Sequence, residues 1–353
     1  MAALVIHAGE RAKARLLDEG IHEDMFDALV GASGGPKWFV LYGLDRYLFG
    51  EFFVGRQRVL NTLGSSAGAW RMSCLACPDP AAAIERLADL YSHERYSERP
   101  TPGEVSAQAS VMLANVLGED GVQAVSSNPV FKTHIIANRG RQLGPNSSRL
   151  VQGLVLASAA TLNAISRKAL SCFFERTIFC PDPQQSPWRE LDDLRSVSIA
   201  LTPDNLQQSL LASGSIPFVL EGVANIPGSK EGLYWDGGIT DYHFDLPFDQ
   251  LDGLVLYPHF QATVKPGWFD KRLPWRRAAM PNFNNVVLLR PSAEFVSTLP
   301  GGKLSDRSDF ARLKYAERVT VFREVLERSK QLADELRELV EKGIEPAQIR
   351  PIV

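Results

Sequence analysis

The chain has 353 residues, 45% apolar and 22% charged, with a formal net charge of −3. That balance suits a globular protein with one large domain or two modest ones, and it offers nucleic acid no general attraction. No apolar run reaches the ~18 residues of a bilayer span, and the opening MAALVIHAGE is too short in apolar length and too poor in basic residues for a signal peptide, so a cytoplasmic protein without a targeting segment is expected.

In chain order, residues 3–7 predict a strand and 9–19 a helix closed by Gly20. FDALV (26–30) predicts a second strand, ending at a glycine-rich turn. Residues 38–49 predict a buried helix, 58–63 a third strand and 69–76 an apolar helix. Alternation of this kind specifies a parallel α/β sheet with helices on both faces. Further on, 81–90 and 104–117 read as helices, and 130–137, 172–180 and 196–201 as strands. A helix is expected over 204–211, then extended segments around a Gly-Ser turn up to Asp236, with late strands at 254–257 and 286–289. From about residue 309 to 342 apolar residues recur at spacings of three and four among many charges, the pattern of helices docked on a core. The division expected is a catalytic domain over 1–300 and a helical extension over 301–353 packed on it.

Gly64-Ser65-Ser66-Ala67-Gly68 stands between the third strand and its helix. A Gly-x-Ser-x-Gly pentad at such a junction places the middle serine on a tight turn, exposed at a strand tip and facing a helix N-terminus. Ser66 is therefore the candidate nucleophile, and Ser65 a turn residue. The earlier turn, Gly31 to Trp38 (GASGGPKW), is placed to offer backbone N–H groups to a developing oxyanion. As a nucleotide loop it fails, because Pro36 and Trp38 stand where the Walker pattern needs glycine and a hydroxyl. Cys74-x-x-Cys77 has no second pair or histidine set to complete a zinc site, and reads as two small buried residues. The base has two sources. His243 or His259 would satisfy the order nucleophile, acid, histidine of one hydrolase class. Asp236, delivered by the apolar run Leu233-Tyr234-Trp235 and followed by two glycines, would act directly if stripped of solvent. Asp241 and Asp245 read as structural carboxylates.

Three stretches in this order, Gly34-Gly35-Pro36-Lys37, the pentad with Ser66, and Asp236-Gly237-Gly238, together with LLASGSIPF (210–218), resemble the patatin-like phospholipase family over roughly residues 26–250. The resemblance implies a three-layer α/β/α sandwich with a mainly parallel sheet, and a serine hydrolase acting on acyl lipids without metal or other cofactor. It implies Ser66 as nucleophile and Asp236 as base of a catalytic dyad, and an oxyanion hole from the loop. Pro36 has no N–H, which leaves the amides of Gly34, Gly35 and Lys37. The sequence departs from the family's usual pattern at Ser33 and Trp38, where glycines are usual, and after Asp236-Gly237-Gly238.

The partner expected is an acyl lipid. KPGWFDKRLPWRR (265–277) interleaves basic and aromatic residues, which suits a loop that makes peripheral contact with an anionic membrane surface or flanks the active-site mouth. The alternatives are an esterase, thioesterase or acyltransferase working on soluble acyl chains, or a non-catalytic lipid-binding protein on the same scaffold.

Overall fold

The computed structural model describes residues 2–144 and 147–352. Among the described residues eleven strands form one sheet: β1 (Leu4–Ala8), β2 (Phe26–Gly31), β3 (Leu60–Ser65), β4 (Phe131–Gly140), β5 (Phe174–Cys180), β6 (Ser196–Ala200), β7 (Val223–Ala224), β8 (Leu233–Asp236), β9 (Leu254–Pro258), β10 (Val286–Pro291) and β11 (Ile349–Pro351). The order across it is β11-β1-β10-β9-β2-β3-β4-β5-β6, with β8 pairing β4 and β7 pairing β8. The centre, β10-β9-β2-β3-β4, is parallel throughout. Antiparallel pairs occur between β1 and β10, between β4 and β5, and where β8 joins β4. Helices cover both faces, so this is the mainly parallel α/β architecture expected. Central strands buried on both faces carry near-continuous apolar runs rather than alternation, as FDALVG in β2 does.

The helices are α1 (Glu10–Glu19), α2 (Tyr42–Tyr47), α3 (Ala67–Cys74), α4 (Pro80–Ser92), α5 (Pro102–Ser127), α6 (Arg149–Ile165), α7 (Pro203–Gly214), α8 (Ala293–Thr298), α9 (Ser308–Arg312), α10 (Tyr315–Arg328) and α11 (Lys330–Lys342). One apolar core runs from Ala3 to Ile349. A second, smaller cluster gathers Val155, Leu156, Phe173, Trp235 and Ile239 beneath α6.

Three differences from expectation have physical causes. The helix expected over 38–49 is instead a 3₁₀ stretch (Gly35–Leu41), the short α2 and a π turn (Leu48–Phe52); Pro36 brings no N–H to the opening turn, which winds tightly. The helix ending at Leu117 resumes after a kink at Gly118, whose φ of 68° only glycine adopts easily, and continues to Ser127 because Gly121 and Val125 are buried. Helix α6 was not foreseen. Past Arg149 it carries no charged residue, so it lacks the polar face that makes a helical period visible.

Candidate active site

The long strand β4 organises the site. Its first half pairs in parallel with β3, which ends with Ser65 opposite Ile136. Its second half pairs on the same edge with antiparallel β8, which ends with Asp236 opposite Ala137. Two strands from distant parts of the sequence thus arrive end to end on one edge. The turn that leaves β3 brings Ser66 Oγ to Asp236 Oδ2, where the hydroxyl donates at 2.8 Å.

Ser66 sits at φ 55° and ψ −133°, a conformation that side chains rarely adopt, between β3 and α3. The glycines of the pentad are required by contact rather than by φ. A Cβ on Gly68 would overlap the Gly31 carbonyl of the neighbouring strand, and one on Gly64 would overlap the backbone of Ala69. The strain is held by Ser213, whose Oγ accepts the Ser66 N–H at 2.9 Å and donates to the Ile136 carbonyl at 2.6 Å. Two residues on, the Ser215 carbonyl accepts the Asp236 N–H at 2.9 Å. The stretch LLASGSIPF therefore clamps both members of the pair. Ser65 turns the other way, buried against Ser33 Oγ at 2.8 Å.

Asp236 is buried. Its Oδ1 accepts the Gly238 N–H at 2.7 Å, and Asn138 Nδ2 donates to its carbonyl at 2.9 Å. Burial pushes its carboxyl up to about 6, against the opposing pull of the Gly238 amide and the Ser66 hydroxyl. Among the described histidines none bonds Ser66. His243 Nδ1 accepts the Lys265 N–H at 2.9 Å, and His259 Nδ1 bonds within its own turn to Gln261. Both rings are fully buried; burial holds His243 well below the ordinary imidazole range and pushes His259 down to about 3. They are neutral packing residues that face one another edge to face, with ring centres 4.3 Å apart.

A cavity of about 510 Å³ opens over the pair, lined by Ser33, Gly34, Gly35, Lys37, Ser66 and Asp236 among others. The amides of Gly34 and Gly35 have no acceptor among the described residues, and Gly35 holds φ 53°. The Lys37 amide differs: it donates to the Gly34 carbonyl at a stretched 3.4 Å. Asp241 lies outside the cavity wall, fully buried in a two-bond pair with Arg176 at 2.7 and 2.9 Å. Asp245 caps the backbone of Ala279 and binds Asn282, so both spare carboxylates are structural. Cys74 and Cys77 are buried thiols, and burial pushes Cys77 up to about 11. No group of three or more metal-binding side chains occurs among the described residues.

Sequence reasoning passed over Ser213, Asn138 and Arg307, whereas Lys271 comes from the loop expected to dock on membranes or flank the active-site mouth, and it lines the cavity. The signal for Ser213 was present, inside a stretch already singled out. Asn138 reads as one more residue of a strand, and nothing local marks it.

The family model for patatin-like phospholipase matches residues 55–252, more than half of the chain and inclusive of Ser66 and Asp236. The chain belongs to that family, whose members are in general lipid acyl hydrolases. The match leaves out the Gly31–Trp38 turn and everything after residue 252. No curated protein matches the sequence.

Proposed function

We propose that the protein is a serine hydrolase that cleaves acyl ester bonds of lipids through an acyl-enzyme, with Ser66 as nucleophile and Asp236 as the base. The observation that carries this reading is the 2.8 Å bond between Ser66 Oγ and a buried carboxylate, on the wall of a cavity and with no imidazole in contact. A carboxyl raised to about 6 is a stronger base than an ordinary aspartate and is still ionised at neutral pH. Asp236 takes the Ser66 proton as Oγ attacks the ester carbonyl. The amides of Gly34 and Gly35 receive the oxyanion, and the Lys37 amide joins them by releasing its long bond to Gly34. The proton passes from Asp236 to the departing alcohol. Water then attacks the acyl-serine, giving its proton to Asp236, and the fatty acid leaves as Ser66 recovers that proton. Each donor lost from such a hole typically costs about 10²–10³ in rate.

The start of the C-terminal segment contributes to this site in the same reading, since Asp306, Arg307 and Ser308 line the cavity. No helix among the described residues is long and apolar enough to cross a membrane. Contact with lipid is peripheral in this reading. In the loop 265–277, Trp268 and Phe269 turn inward against the smaller core, while Trp275 stays 64% exposed. Beside it, past Arg149, α6 shows solvent a mostly apolar face interrupted by the hydroxyls of Ser158 and Thr161, with Leu150, Leu154 and Ile165 at 74%, 60% and 80% exposure. The loop is fastened to α6 where Asn163 Nδ2 donates to Asp270 at 2.7 Å and Arg276 donates to the Asn163 carbonyl. An uncharged helix face next to exposed Arg272 and Arg277 suits an anionic bilayer.

The test is a panel of acyl esters of graded chain length, phospholipids and soluble thioesters included, assayed with wild type, Ser66→Ala and Asp236→Asn. Turnover of lipid esters by wild type and loss of it in both variants is expected. Turnover retained in Ser66→Ala removes the assignment.

A further inference from the structure

Ser66 stands where two unlike cavities meet. The first, of about 510 Å³, counts Lys37, Lys271 and Arg307 among its lining residues. The second, of about 300 Å³, has a largely apolar wall that includes Trp70, Val105, Ala109, Val219, Leu220 and Phe310, with Glu94 and Arg318 also on it. Both include Gly35, Ser66, Tyr91, Ile216 and Arg307. An ester carbonyl placed at Ser66 would have its acyl chain in the apolar branch and its alcohol portion in the cationic one.

The three cations have something in common. Three other cations of the fold pair with buried carboxylates: Arg71 with Asp45, Arg176 with Asp241, Lys303 with Asp309. Among the described residues, Lys37, Lys271 and Arg307 have no carboxylate within 4.0 Å. Two of them rest on aromatic faces instead. Lys271 Nζ lies 3.5 Å from the Tyr242 ring centre and Lys37 Nζ 5.5 Å from that of Phe260. Their sources are distant in sequence: the turn after β2, the loop 265–277, and the residue before α9. Lys37 is half-buried, and Lys271 and Arg307 line the cavity with part of each side chain open to solvent; partial loss of water lowers the affinity of Lys37 for its proton and acts on Lys271 the same way, with Lys37 nearby adding to it. The acids of this wall do not neutralise the group. Asp236 is the partner of Ser66, and Asp306 is engaged by Lys303 and Ser308. Like charges around one cavity repel one another until an anion enters it.

We propose that Lys37, Lys271 and Arg307 form a subsite for a phosphate-type oxyanion on the alcohol portion of the ester, so that the preferred substrate is an acyl lipid with an anionic head group rather than a neutral glyceride. This rests on the reading of Ser66 as the nucleophile. Arginine meets phosphate oxygens as a planar fork and lysine as a point charge, and together they favour a doubly charged phosphomonoester over a zwitterionic head, whose outer ammonium they repel.

The experiment measures binding of monododecyl phosphate, which has no ester to cleave, against neutral dodecylglycerol ether and inorganic phosphate, using wild type, Lys271→Met and Arg307→Met. The same proteins are then assayed on lauroylglycerol phosphate and lauroylglycerol. Wild type should bind dodecyl phosphate at least tenfold more tightly than the neutral ether. Each variant should cut that preference by about five- to tenfold, and the ratio of kcat/KM values for the two esters should fall with it. Because each readout is a ratio within one protein, a general loss of stability cancels. Equal binding of the two amphiphiles, or a preference that survives both substitutions, overturns the subsite. Inorganic phosphate binding as tightly as the alkyl phosphate also overturns it, since the cations would then hold a free anion. If the binding preference stands while neither ester is turned over, the hydrolase reading fails and the anion subsite does not.

Discussion

Ser65 and Asp236 each end a strand, and the two strands meet along one edge of β4 opposite the successive residues Ile136 and Ala137. The separation of the reacting groups is thus set by backbone register, which shifts only in steps of about 3.3 Å per residue. Two side chains placed this way need no flexible segment to meet, and the surrounding hydrogen bonds hold the two turns that leave the sheet.

The first prediction concerns that clamp. Ser213→Ala leaves the Ser66 N–H without its acceptor and the Ile136 carbonyl without its donor, both in a buried place. Stability should fall by about 1–3 kcal/mol. With an acyl ester as substrate, kcat should fall at least tenfold with KM little changed, because the elbow loosens while the cavity walls stay. Denaturant melts and steady-state kinetics of the variant check both parts.

The second concerns pH. Only ionised Asp236 can take a proton, so with an uncharged acyl ester, which does not depend on the charge of Lys271, kcat/KM should rise with pH through about 6 and level off above it. Neither buried imidazole accounts for a limb there, since His243 lies well below its ordinary range and His259 near 3. A pH profile from 4.5 to 8.5 measures this. A midpoint within about one unit of 6 agrees, and a flat profile disagrees.

The third concerns stability and has the opposite sign from activity. The folded state holds Asp236's proton more tightly than the unfolded chain, whose aspartates titrate near ~4. Below that pH ionisation costs the fold nothing. Between about 4 and 6 the cost grows, and above 6 it is complete. Asp236→Asn removes the charge and should melt higher than wild type at pH 7–8, by on the order of 2 kcal/mol, with the gain shrinking toward pH 4. Thermal melts across that range test it.

Helix α6 yields a fourth. Leu154→Glu with Ile165→Glu places two charges on a face already exposed, so folding should be unaffected. Binding to anionic vesicles should drop at least tenfold while hydrolysis of a monomeric short-chain ester stays within twofold. Vesicle co-sedimentation decides the matter.

The sequence made the parallel core and the paired groups legible for a shared reason. Both depend on local chemistry: buried strands written as apolar runs, and glycines that mark where backbone approaches backbone around Ser66 and Asp236. Residues whose role comes only from tertiary placement stayed hidden. Asn138 faces the end of β8 across 98 positions of sequence. Arg307 enters the cavity wall from a segment that reads only as the approach to surface helices. Helix α6 escaped because its outer face carries no polar period. By sequence the Lys37 amide is equivalent to those of Gly34 and Gly35, and its bond to the Gly34 carbonyl arises from the 3₁₀ winding, which no residue pattern marks.

Activation of the Ser66 hydroxyl by the Asp236 carboxylate, with no imidazole between them, can be followed by the rate of covalent labelling with a fluorophosphonate, read out by intact mass and peptide mapping. A single adduct on Ser66 is expected in wild type, none in Ser66→Ala, labelling slowed at least a hundredfold in Asp236→Asn, and a near wild-type rate in a folded His259→Phe variant. Labelling that persists without Ser66, or that proceeds at full rate in Asp236→Asn, would contradict this activation.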